Sequence, residues 1–206
     1  HRRKTLGRSR SDIQKEFRIL KEITKEMALK PWYNVITPRE DLIAGKPLDA
    51  SEFAVHLDHV RLGIAPKDYI DPERFFHRTY LTQTLLDMAA QTIRRFSGIT
   101  TETSPVFNLT TQFGGGKTHS LTLLYHLAIS GNKAKKFQGV DRILTKADLD
   151  EIKTAKVAIF VGTEFSSVNG RSDGDEPVRR TPWGELAYQI GGTKSFEQFS
   201  ELDKSF

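Results

Sequence analysis

Three consecutive glycines, Gly114-Gly115-Gly116, stand between two apolar stretches, and they constrain the fold more than any other feature of the chain. Glycine takes positive φ at no steric cost and leaves its backbone amides uncovered, so a run of three marks a tight reversal of the main chain. Before it, Val106-Phe107-Asn108-Leu109 reads as a strand. After it, Lys117 to Ser130 reads as a helix with Leu121, Leu124, Tyr125 and Ala128 on one face and Leu123 and Leu127 widening that face. A helix apolar on more than one side needs cover on more than one side, which a sheet and neighbouring helices together supply.

Strand, glycine turn and helix in this order are the layout of a phosphate-binding loop. The glycines let successive N–H groups turn inward on an oxygen-rich anion, and the helix start adds its unpaired amides and the positive end of its dipole. Lys117 would neutralise the β and γ phosphates, and the Thr118 hydroxyl would ligate Mg²⁺. The nucleotide-binding residues expected are Gln112, Phe113, Gly114, Gly115, Gly116, Lys117, Thr118 and His119, with ATP and Mg²⁺ as cofactors. The pattern G-x-x-x-x-G-K-[ST] is matched at Gly116-Lys117-Thr118 but has Thr111 where its first glycine falls. Gly114 and Gly115 must then carry the curl. A glycine-rich turn followed by a chance lysine is the alternative.

A second continuous apolar run, Val157-Ala158-Ile159-Phe160-Val161, suits a buried parallel strand. Glu164 lies just past its end, where open α/β sheets meet their ligands, and is the one candidate for a catalytic acid; a loop acid capping a turn is the competing reading. No other catalytic residue is assignable. The expected fold class is α/β: a helical N-terminal region leading into an incomplete P-loop NTPase domain with a parallel sheet.

Composition narrows the setting. The chain has 206 residues and no cysteine, which excludes disulfides and thiolate metal sites. No apolar run is long enough to span a bilayer, so a membrane is not among the expected partners, and a cytoplasmic location is expected. Residues 1–30 hold ten Lys/Arg against four Asp/Glu, an excess larger than the net +5 of the whole chain, so the rest is slightly acidic. Only the first thirty residues could offer nucleic acid a basic surface.

In chain order, residues 1–10 read as a basic arm, and Ile13, Phe17, Leu20, Ile23 and Met27 fall at helical spacing. Thr37-Pro38-Arg39-Glu40, Asp49-x-x-Glu52 and Asp71-Pro72-Glu73 open helices that stop at Gly45, Gly63 and Gly98, the last with a break near residues 79–82. A short helix is expected at 146–152. Residues 165–180 read as a mobile acidic loop, Thr181-Pro182 starts a helix reaching Gly191-Gly192, and Ser195-x-x-Gln198 starts the last one. His56, His59 and His77 lack companions at metal-ligand spacing. The domains expected are 1–30, an arm and amphipathic helix; 31–104, a helical region; and 105–206, the first part of the nucleotide-binding domain.

Met27-Ala-Leu-Lys-Pro-Trp-Tyr-Asn-Val, Pro47-Leu-Asp-Ala-Ser-Glu-Phe-Ala, Phe107 to His119, Phe160-Val-Gly-Thr-Glu-Phe165 and Thr181-Pro-Trp-Gly-Glu-Leu186 together resemble the start of a prokaryotic family of predicted AAA+ ATPases. Its members are often encoded beside DNA methyltransferase-like proteins in restriction or phage-defence loci. The resemblance spans about residues 27–206. It implies an AAA+-like fold, ATP binding, ATP hydrolysis and a DNA-linked role, with the later ATPase motifs beyond Phe206. Residues 1–26 would then be an extension. The partners expected are the remainder of a longer ATPase chain, a second copy of the chain, and DNA or a methyltransferase-like protein. The alternative function is a non-hydrolysing module that docks a partner through its helical region.

Overall fold

The computed structural model describes residues 14, 15, 18, 29–38, 40–45, 55–110, 114–166 and 168–205. The basic arm and the apolar stripe from Ile13 to Met27 lie outside the described residues, as do Asp49 and Glu52. The chain divides into two compact units, His1–Leu48 and Asp49–Phe206. In the first, a 3₁₀ turn at Trp32–Asn34 precedes the short helix α1 (Glu40–Ile43), and Gly45 follows with φ of 66°.

The second unit is built from helices α2 (Leu57–Leu62), α3 (Lys67–Ile70), α4 (Pro72–Arg78), α5 (Gln83–Phe96), α6 (Lys117–Ser130), α7 (Val140–Ala147), α8 (Pro182–Glu197) and α9 (Ser200–Lys204). Local chemistry sets most of their ends. Asp71 caps α4 by accepting from the amides of Glu73 and Arg74, with Pro72 at the first helical position. Thr79 is extended and closes α4, and Thr82 caps α5 by accepting from the Leu85 amide. Gly63 ends α2 in the left-handed conformation.

Helices α4 to α7 enclose one core. Phe75 and Phe76, Ala89 and Ile93, Leu123 and Leu127, and Val140, Ile143 and Ala147 all have exposures of 2% or less. Truncating any of these larger side chains to alanine falls in the range of about 2–5 kcal/mol. Arg94 ties α5 to α7 by donating to the Ala147 carbonyl at 3.0 Å.

The expected parallel sheet is not present: among the described residues no strand forms, and the only β-type pairings are the isolated bridges Ser166–Gly170 and Arg171–Arg179. The α/β class, with its P-loop NTPase sheet, is therefore corrected to a helical fold. Val106 is 74% exposed and Phe107 37%, and no residue of the first supposed strand is fully buried. In the second, the Ile159 N–H donates to Gln189 Oε1 at 2.8 Å and the Ile159 carbonyl accepts from Gln189 Nε2 at 2.8 Å. A side-chain amide thus takes the two bonds that a neighbouring strand would have made.

Two helices also differ from expectation. Of the stretch 146–152 only Lys146 and Ala147 are helical, as the end of α7, which lies earlier, between left-handed Gly139 and left-handed Asp148, where Val140, Ile143, Leu144 and Ala147 make its buried stripe. On α6 the buried residues are Thr122, Leu123, His126, Leu127 and, from the expected face, Ala128, whereas Leu121 is 41% exposed. Leu121, Leu124, Tyr125 and Ala128 together line an apolar cleft of about 440 Å³ beside residues 156–160.

Candidate functional site

Helix α6 starts where the glycines stop. Gly114 and Gly116 have φ of 84° and 72°, the left-handed region that only glycine enters without strain. Gly116 is the N-cap and brings no side chain to the first-turn amides, and that turn holds no acidic residue. Its carbonyl accepts from both the amide and the hydroxyl of Ser120 at 2.9 Å, so the turn is fixed from the helix side. A Cβ built on Gly114 or Gly116 meets no atom within 4 Å, which leaves open space over the turn.

That space is a cavity of about 630 Å³. Residues 114–119 line it on one side, Val55, His56, Leu57 and Tyr69 on another, and Phe160, Val161 and Gly162 on a third. Its size is within the range of small-molecule sites, and its walls are mostly apolar around a few polar groups. Lys117, Thr118 and His119 are half-buried at its edge. Gln112 and Phe113 lie outside the described residues, as does Thr111.

His119 is held from behind. Its ring packs on Phe75 at 4.6 Å between centroids and meets Tyr69 edge-on at 6.1 Å. Its Nε2 lies 3.0 Å from Thr79 Oγ1, and the same hydroxyl donates to the Phe75 carbonyl at 2.7 Å. A hydroxyl has one proton, so the Thr79 oxygen accepts and His119 Nε2 donates. Burial pushes the His119 pKa down, in keeping with a neutral ring. Seven residues on, His126 is 1% exposed and donates from Nε2 to the Tyr69 carbonyl at 2.7 Å, leaving Nδ1 without a partner. Its pKa is lowered too, mainly by burial.

Glu164 ends a 3₁₀ turn, Gly162–Glu164, whose first residue lines the cavity. Its Oε1 is 3.3 Å from His56 Nδ1 and its Oε2 is 3.9 Å from His59 Nε2. Both histidines come from the start of α2, and no group of three metal-ligating side chains occurs among the described residues. Sequence reasoning placed His56 and Val55 on a helix and gave them no part in a site. The His56-x-x-His59 spacing, which puts both rings on one side of a helical turn, was the only local signal.

A buried charge network holds α2 and α8. Asp58, 2% exposed, accepts from Arg61 at 2.9 Å and pairs with Arg171 at 2.7 Å. Burial alone would raise the Asp58 pKa, but the two guanidinium groups outweigh it and hold the carboxyl below its ordinary value. Arg179, also 2% exposed, binds Glu185 at 2.6 Å and Glu176 at 2.9 Å, and lies over the Tyr188 ring at 4.1 Å. Residues 165–180, expected as a mobile loop, are thus pinned by two of their own arginines.

What the fold and site define is a helical domain arranged around a glycine turn that opens into a cavity at the start of a helix. The chain belongs to the DUF499 N-terminal domain family, whose model matches residues 33–205. No curated protein and no solved structure matches it. No helix among the described residues is long and apolar enough to cross a membrane.

Proposed function

We propose that this domain binds the phosphate chain of a nucleoside triphosphate, Mg-ATP, over residues 114–119. The observation that carries the reading is the start of α6, reached through left-handed Gly116 and lining a cavity together with residues 114–119. The amides of a helix's first turn, its dipole and a lysine at the first helical position all favour an anion there. A triphosphate fits the open space over Gly114 and Gly116. Lys117 would neutralise charge as phosphates enter, and Thr118 would hold the Mg²⁺ that ATP brings with it; the metal's part is to offset phosphate charge.

Glu164, beside His56 and two residues past the cavity-lining Gly162, is the acid proposed to orient a water. The resemblance to predicted AAA+ ATPases of defence loci supports a DNA-linked, cytoplasmic task with methyltransferase-like or self-associating partners. Calorimetric titration of Mg-ATP tests the reading. Binding by the parent and at least a hundredfold loss in Lys117→Ala, which removes the phosphate-neutralising charge, is the expected result. Equal affinity in both would contradict it.

A further inference from the structure

We propose that Thr79 is a positioning residue for the glycine loop, a role that rests on the triphosphate reading above. Thr79 is 40 residues from His119 in sequence, yet its hydroxyl accepts the His119 Nε2 proton at 3.0 Å while donating to Phe75 at 2.7 Å. The first turn of α6, which lines the cavity, is thereby tied to the end of α4. Three constraints act on one imidazole: the Thr79 bond fixes which nitrogen carries the proton, Phe75 fixes the ring plane, and Tyr69 closes its edge. A ring so held cannot tilt without moving the helix start.

Phe75 is 2% exposed in the central core, so the anchor itself is rigid. Thr79 closes α4 and stands just ahead of the segment leading to α5, and its side chain bridges the end of α4 to the first turn of α6. Tyr69 also lines the cavity, so the group that closes the edge of His119 is itself in reach of a ligand. Thr79 touches no ligand in this account; it acts through His119.

Four variants of the full chain test this with Mg-ATP by calorimetry, with thermal unfolding recorded alongside. Thr79→Val keeps the shape and removes the hydroxyl; it should weaken binding about tenfold, the scale of one lost buried hydrogen bond. Thr79→Ser restores the hydroxyl and should bind within about twofold of the parent. His119→Phe keeps a ring against Phe75 and deletes the donor. It should match Thr79→Val, and the double variant should be no weaker than either single one, because both remove the same bond.

Parent-like binding by Thr79→Val beside lost binding in Lys117→Ala would overturn the role of Thr79 and leave the triphosphate reading standing. Equal weakening in Thr79→Val and Thr79→Ser, or additive losses in the double variant, would also overturn it. No binding by the parent would remove both.

Discussion

The starts of α6 and α8 are built from opposite materials. At α8, Thr181 accepts from the Gly184 amide at 3.1 Å, and Asp203 accepts from the Thr181 amide, the Thr181 hydroxyl and the Arg180 amide at 2.8, 2.5 and 2.7 Å. The first turn carries buried Glu185, which faces buried Arg179. At α6 the cap is a left-handed glycine, the first turn has no acid, and the helix opens on a cavity. One end is closed by the chain's own acceptors and serves stability. At the other, the proposed acceptor comes from outside, and the lysine of its first turn sets the sign of the charge that acceptor should have.

Removing the internal acceptor should separate these two roles. Glu185→Leu leaves the Arg179 guanidinium buried with only part of its pairing, and the expected loss is about 3–5 kcal/mol of unfolding free energy in urea. Mg-ATP affinity of the folded variant should stay within about twofold, since the two ends share no partner. A loss below about 1 kcal/mol would show that the closed end is not held by its ions.

Acid should act on the α6 side next. Burial depresses the pKa of both His126 and His119 below the ordinary 6.5, so the unfolded chain takes up protons that the native chain refuses. Stability is therefore full above that value and falls as pH drops through it, by up to about 1.4 kcal/mol per pH unit for each histidine. Asp58, with its pKa lowered from 3.8, adds a further loss only at more acidic pH. Urea midpoints followed from pH 7.5 to 5 should show the slope, and His126→Phe should remove about half of it. An unchanged slope in that variant would place the proton uptake elsewhere.

Much of the second unit was legible from side chains that act locally. Asp71 with Pro72, and Thr181 with Pro182, announce helix starts because their oxygens reach amides two or three residues on. Gly63 and Gly131 announce stops, and the limits of α6 follow from Gly116 and Gly131. The kink at Gly192 within α8 falls where the helix was expected to end. The supposed strands were not legible, because continuous apolar residues report a wish for burial and say nothing of a ladder partner; Gln189 supplied one to Ile159 from 30 residues away. The helix α7 was hidden by Asp141, Arg142 and Lys146 on its outer side and by the lysines of the preceding 3₁₀ turn, Gly131–Lys136. Of the site, the glycine turn could be read directly. Its walls could not, since Val55, His56 and Tyr69 reach it only through the packing of α2, α3 and α6.

The central claim concerns main-chain amides, so backbone amide resonances of the isotopically labelled chain under Mg-ATP titration test it most directly. The account predicts saturable shifts largest at residues 114–119, with the Gly184 and Glu185 amides at the start of α8 unmoved. Shifts absent from 114–119, or largest at the closed end, would contradict it.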